Sequence, residues 1–111
     1  MGYYSDVFIA CEKDCTELIE AIMKAEPTYH ATENYFFCEF TNCKWYESYP
    51  MVKAIMSAIN NIEERECEYM GRKYMALPFG YMEIGEEYDD ITELGRPYDF
   101  GIRLIRNMEW D

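Results

Sequence analysis

Basic side chains are scarce in this sequence. Ten Lys and Arg stand against 22 Asp and Glu, a formal net charge of -12 over 111 residues, and histidine occurs once, at His30. A field of that sign repels nucleic acid and anionic membrane and speeds encounter with basic partners, although it also serves plain solubility. The shortage is general: four basic side chains face nine acidic ones in residues 1–60, and six face thirteen in residues 61–111. Long apolar runs are missing too, which excludes a membrane-spanning helix. The opening Met1-Gly2-Tyr3-Tyr4-Ser5-Asp6 has neither the basic start nor the apolar stretch of a secretory signal, and Asp6 stands where myristoylation needs Ser or Thr. Repeats, low-complexity tracts and linkers are absent. The expectation is one cytoplasmic domain with reduced thiols and no membrane contact.

What is present is apolar and aromatic. Half the residues are hydrophobic and 17% aromatic, enough to fill a core without metal or disulfides. A chain of this length buries roughly 65% of the surface its unfolded form exposes. Cys11-x3-Cys15 and Cys38-x4-Cys43 superficially resemble two halves of a four-thiolate zinc site, with Cys67 left over. Zinc ligands favour tight turns, whereas these fall in apolar strand and helix patterns, so core packing is the expected role and no cofactor is implied. His30 has no Ser or Cys near it that forms a nucleophile motif, and an exposed loop histidine is the plainer reading.

Periodicity gives the coarse layout. Residues 3–11 read as a first strand, with Val7 and Ile9 on one side and Phe8 and Ala10 on the other. Asp14 and Glu17 form an Asp-x-x-Glu capping box for a helix running to about Ala25, its apolar side being Cys15, Leu18, Ile19, Ile22 and Met23. Residues 34–46 read as a second strand, with a bend near Thr41-Asn42. Pro50 opens a second helix, with the stripe Val52, Ile55, Met56, Ile59 and Ile62 reaching to about Glu64. Residues 72–84 read as a third strand bulged at Pro78-Phe79-Gly80, and residues 100–110 as a fourth. The predicted fold class is α+β, in two layers: a four-stranded, mostly antiparallel sheet with two helices on one face, in the order β-α-β-α-β-β.

The densest chemistry lies in residues 82–95. Glu83, Glu86, Glu87, Asp89, Asp90 and Glu93 fall there with no Lys, Arg or His among them, bracketed by Gly85 and Gly95 and punctuated by Met82, Ile84, Ile91 and Leu94. Apolar punctuation of that kind predicts an ordered negative loop pinned at both ends, where a disordered tail would have longer unbroken charge. The same carboxylates offer other readings: Mg²⁺ or Ca²⁺ ligands outside the EF-hand pattern, or a catalytic pair of Glu83 with Asp89 or Asp90. Eleven tyrosines exceed what a small core needs. Tyr3, Tyr4, Tyr46, Tyr49, Tyr81, Tyr88 and Tyr98 are predicted at strand ends or loops, where they cap the core or supply interface anchors.

Lys44-Trp45-Tyr46, Tyr49-Pro50-Met51-Val52 and Ile84-Gly85-Glu86-Glu87-Tyr88-Asp89-Asp90 with Gly95, together with the Met-Gly-Tyr-Tyr-Ser start, resemble a group of small, mostly uncharacterised bacteriophage and prophage proteins. The resemblance spans nearly the whole chain in short pieces. It implies a phage origin and expression in a bacterial cytoplasm, and it carries over no catalytic residue. Small acidic phage proteins often block host nucleases, restriction enzymes or CRISPR effectors. The expected function is therefore a non-enzymatic inhibitor of a basic host protein, making no direct contact with nucleic acid. Glu83, Glu86, Glu87, Tyr88, Asp89, Asp90 and Glu93 would form its partner-binding surface. The alternatives are a small Mg²⁺-dependent enzyme using those carboxylates and a structural homo-oligomer.

Overall fold

The computed structural model describes residues 3–87, 90–104 and 108–110. Its elements are β1 (Ser5–Glu12), α1 (Thr16–Lys24), β2 (Thr28–Ala31), β3 (Tyr35–Cys43), α2 (Pro50–Asn60), β4 (Arg65–Tyr69), β5 (Arg72–Ala76), β6 (Phe79–Ile84), β7 (Ile91–Gly95), β8 (Ile102–Leu104) and β9 (Met108–Trp110). A 3₁₀ helix, Pro97–Phe100, precedes β8. The fold is α+β, as the sequence predicts, but the sheet has five strands rather than four. Its order is β2-β3-β1-β6-β7, with every neighbouring pair antiparallel. Without β7 and the β4–β5 insertion, this is the split β-α-β arrangement also called ferredoxin-like: β1-α1-β2 and β3-α2-β6, with β1 and β3 central.

Both helices cover one face. Val7, Ile9 and Cys11 of β1, Phe36, Cys38 and Phe40 of β3, and Phe79 and Tyr81 of β6 alternate toward Leu18 and Ile22 of α1 and Val52, Ile55, Ala58 and Ile59 of α2. Proline begins α2 where its missing N–H costs nothing, behind extended Tyr49. Cys11, Cys15 and Cys38 are buried in this core, and burial pushes the Cys38 thiol up to about 12. Cys43 lies opposite Ser5, at the far end of β1 from Cys11, so the zinc-like spacings do not bring four thiols together. On the opposite, outer face a smaller cluster of Phe8, Met82 and Ile102 forms under β8.

Several sequence expectations are corrected. Asp14 does not cap α1: Cys15 takes the N-cap position with no side-chain bond. Asp14 instead accepts from Arg65 Nη1 at 2.6 Å, a tertiary ion pair that outcompetes the local cap. Residues 72–84 are two strands. The chain changes sheets at Pro78, whose lack of an N–H ends β5 and frees β6 to pair with β1. β4 and β5 form a separate hairpin whose loop residues Met70 and Gly71 both have positive φ, 51° and 76°, as a two-residue type I′ turn requires. β2 and β7 extend the sheet at its two edges. Residues 100–110 hold the 3₁₀ end and the β8–β9 hairpin, not one strand; Ile105 and Arg106 of that expectation lie outside the described residues. The bend near Thr41-Asn42 is present as a register shift between Ser5 and Val7, with the Asn42 N–H donating to Asp6 Oδ1 at 2.7 Å.

Candidate functional site

The acidic run is divided by the sheet. Glu83 pairs with Val7 and Thr92 and so points to the helix side, whereas Glu93 pairs with Met82 and points to the outer face. The two therefore do not share a surface. Between them, Glu86, Glu87 and Asp90 sit in the tight connection from β6 to β7, all exposed. Tyr88 and Asp89 lie outside the described residues.

Hydrogen bonds hold this turn. The Gly85 N–H donates to the Asp90 carbonyl at 2.8 Å and the Asp90 N–H to the Glu87 carbonyl at 3.1 Å. The N-terminal segment then clamps it from outside. The Tyr3 hydroxyl donates to Asp90 Oδ2 at 2.5 Å and accepts from the Glu87 N–H at 3.1 Å, and the Tyr4 N–H donates to Glu86 Oε1 at 2.8 Å. Tyr3 is itself fixed by its N–H, which donates to the Tyr46 hydroxyl at 2.6 Å. A Cβ at Gly85 would collide with the Asp90 carboxylate and the Tyr3 hydroxyl, so only glycine lets the phenol come so close. Donating to Asp90 raises the Tyr3 phenol above its ordinary value of 10.0.

Little positive charge offsets the turn. Among the described residues the ion pairs are Arg65 with Glu12 and Asp14, and Arg96 with Asp99; none touches Glu86, Glu87 or Asp90. Lys44 Nζ lies 5.9 Å over the Tyr4 ring instead. Tyr46 and Tyr49 meet edge to face at 5.2 Å, so four of the singled-out tyrosines gather at this end of the sheet. Tyr81 is a correction: it is fully buried in mid-strand, its hydroxyl donating to Glu83 at 2.6 Å. Tyr98 donates to Glu93 at 2.5 Å.

Half-buried Glu83 has a different character from the turn carboxylates. Burial lifts its carboxyl above the ordinary 4.5, Asp90 and Glu47 add like-charge repulsion, and the Tyr81 hydrogen bond works the other way. The native state therefore holds this proton more tightly than the unfolded chain does, and its contribution to stability falls as pH rises through the window just above 4.5. Glu83→Gln keeps an acceptor for Tyr81 without the charge. Urea midpoints measured from pH 4.5 to neutrality are expected to decline less steeply in this variant than in the wild type. Equal slopes would rule out burial of Glu83 as the cause.

Two surfaces escaped sequence reasoning. The β4–β5 hairpin exposes Tyr69 (70%), Met70 (85%), Tyr74 and Met75, an apolar tip carrying Arg72 and Lys73. Its signal was Gly71 as the second residue of a two-residue loop between short alternating segments, obscured by an unusual Met70. The second is a groove on the outer sheet face, where His30 stacks on Phe37 with ring centroids 6.1 Å apart. No Ser or Cys lines that groove beside His30 except Cys38, whose side chain points to the core.

Fold and site together define an α+β domain that presents a clamped acidic turn at one end of a split β-α-β sheet. Compared with family models, curated proteins and solved structures, the chain gives no match in any of the three.

Proposed function

We propose that this is a non-enzymatic binding protein that lays the β6–β7 turn against a basic surface of a protein that handles nucleic acid. It would act as the small phage-encoded inhibitors of host defence act, to whose kind its sequence bears a resemblance. Glu86, Glu87 and Asp90, with Asp89 between them in sequence, would stand in for phosphates against Lys and Arg and displace DNA or RNA. Glu83 and Glu93, on opposite faces, would add field rather than contacts. The observation that carries this reading is the clamp. Tyr3 and Tyr4 hold exposed carboxylates in one arrangement with no ion pair to any described cation. An ordered charged surface loses less entropy on binding than a mobile one. Affinity capture from bacterial lysate tests it, with wild type and a Glu86→Gln, Glu87→Gln, Asp90→Asn variant as parallel baits. A basic partner retained at low salt, released as ionic strength rises and lost to the variant is expected; equal retention by both baits would refute the assignment.

A homo-oligomeric role has one observation in its favour, the exposed Tyr69, Met70, Tyr74 and Met75 of the hairpin. An isolated two-stranded hairpin is marginal in water, and covering this tip would stabilise it.

A further inference from the structure

We infer that the outer edge of β5 joins two copies of this chain into a closed dimer, through antiparallel pairing of Arg72–Ala76 with the same strand of a second copy about Tyr74. Among the described residues the strands of the β4–β5 hairpin pair only with each other. A two-stranded ribbon is marginal in water, and additional strands stabilise it. Its two-residue loop makes Tyr69 and Arg72 a hydrogen-bonded pair, and the pattern alternates from there. Arg72, Tyr74 and Ala76 turn their main-chain groups toward β4, whereas Lys73 and Met75 turn theirs outward. No main-chain hydrogen bond from Lys73 or Met75 to another described segment fills that edge. The side chains are exposed as well, Tyr74 at 44% and Met75 at 57%.

Charge decides which strands meet and in what register. β5 carries no carboxylate, in a chain of net charge -12. With Tyr74 opposite its own copy, Lys73 faces Met75 and Arg72 faces Ala76, so no like charges stand opposite each other. The same register joins the outward main-chain groups of Lys73 and Met75 as hydrogen-bonded pairs on both sides of the two-fold axis. A register centred on Lys73 would set lysine against lysine. Edge lysines often block pairing, but Glu68 stands opposite Lys73 within the hairpin and offsets its charge. β4 is the closed edge. Its outward positions are Glu66 and Glu68, and two-fold pairing about Cys67 or about either glutamate sets carboxylate against carboxylate. Pairing β5 with β4 of the next copy suits the charges, but it stacks like-oriented hairpins only about 10 Å apart. The molecule is 23 Å across in its thinnest direction, too wide for that spacing. Two-fold pairing points the hairpins in opposite directions instead, and association stops at two. This goes beyond the binding reading and uses no residue of the acidic turn.

Sedimentation equilibrium of the full chain, from about 1 μM to 1 mM, tests the edge. A dimer with a dissociation constant of about 10–100 μM is expected, because one strand per copy buries less than a standard interface. It should tighten as salt screens the charge of -12 on each copy. Partner capture by the acidic turn loosens with salt, so failure of either proposal is read separately. Met75→Pro removes an outward N–H without touching a bond to β4 and should weaken the dimer at least about tenfold. Glu66→Pro makes the same change on the closed edge and should leave it intact. In a Cys67→Ser background, Tyr74→Cys should be cross-linked between copies by oxidised glutathione, because opposed residues of a non-hydrogen-bonded pair lie about 4.5 Å apart at Cα, within disulfide reach. Lys73→Cys in that background should cross-link far less. A chain monomeric over the whole range, oligomers growing beyond two, undiminished dimerisation of Met75→Pro, or preferential cross-linking at position 73 would each overturn the proposal.

Discussion

Neutralising Glu86, Glu87 and Asp90 together is expected to slow association with the captured basic partner by about tenfold at low salt. The expectation rests on charge placement. These three carboxylates are exposed, close together in one turn and without an ion pair among the described residues, so their field reaches solvent. Amide replacements preserve shape, and an asparagine oxygen at position 90 can still accept from Tyr3. Near physiological ionic strength the Debye length shrinks to about 8 Å, so the rate difference should narrow as salt rises. Stopped-flow association across a salt series reads both effects. A variant slowed equally at every salt concentration would point to lost contacts rather than lost steering.

Gly80→Ala should be the more damaging change for the fold. A Cβ there would lie 2.6 Å from the Cα of Pro97, 2.9 Å from its N and 3.0 Å from the Arg96 carbonyl, all backbone atoms that cannot rotate away. Gly80 faces Gly95 across the β6–β7 pair, and this double absence of side chains lets the 3₁₀ helix cross the sheet closely and bury Pro97. Forcing a methyl group between them costs about 1–3 kcal/mol by overpacking. The lower backbone entropy of alanine in the unfolded chain offsets about 0.5–1 kcal/mol of that. A net loss visible as a melting temperature lower by roughly 5–15 °C is expected by calorimetry. An unchanged melting temperature would mean that the 3₁₀ helix moves aside without cost.

Legibility in the sequence followed the strength of local signals. α2 was readable because Pro50 and the stripe Val52, Ile55, Ile59 agree on one helix; it stops at Asn60 rather than near Glu64, where the chain leaves for β4. β2 was invisible because Thr28, Tyr29, His30 and Ala31 are all exposed, so an edge strand held by pairing with β3 has no apolar alternation to display. β7 was hidden within the acidic run. Glu93 between Thr92 and Leu94 looks like loop, and only pairing with β6 makes it a strand. The pinning of the turn was anticipated from Ile84 and Ile91, which do pair across β6–β7. The clamp by Tyr3 and Tyr4, more than 80 residues away in sequence, was not, since no local pattern encodes it.

The most direct test of the clamped turn is ¹⁵N relaxation at Gly85, Glu86, Glu87 and Asp90. Order parameters near those of the neighbouring strands, about 0.85, are expected in the wild type, falling when Tyr3→Phe removes the hydroxyl that bridges Asp90 and the Glu87 N–H. Values below about 0.6 in the wild type, or no response to Tyr3→Phe, would contradict the account.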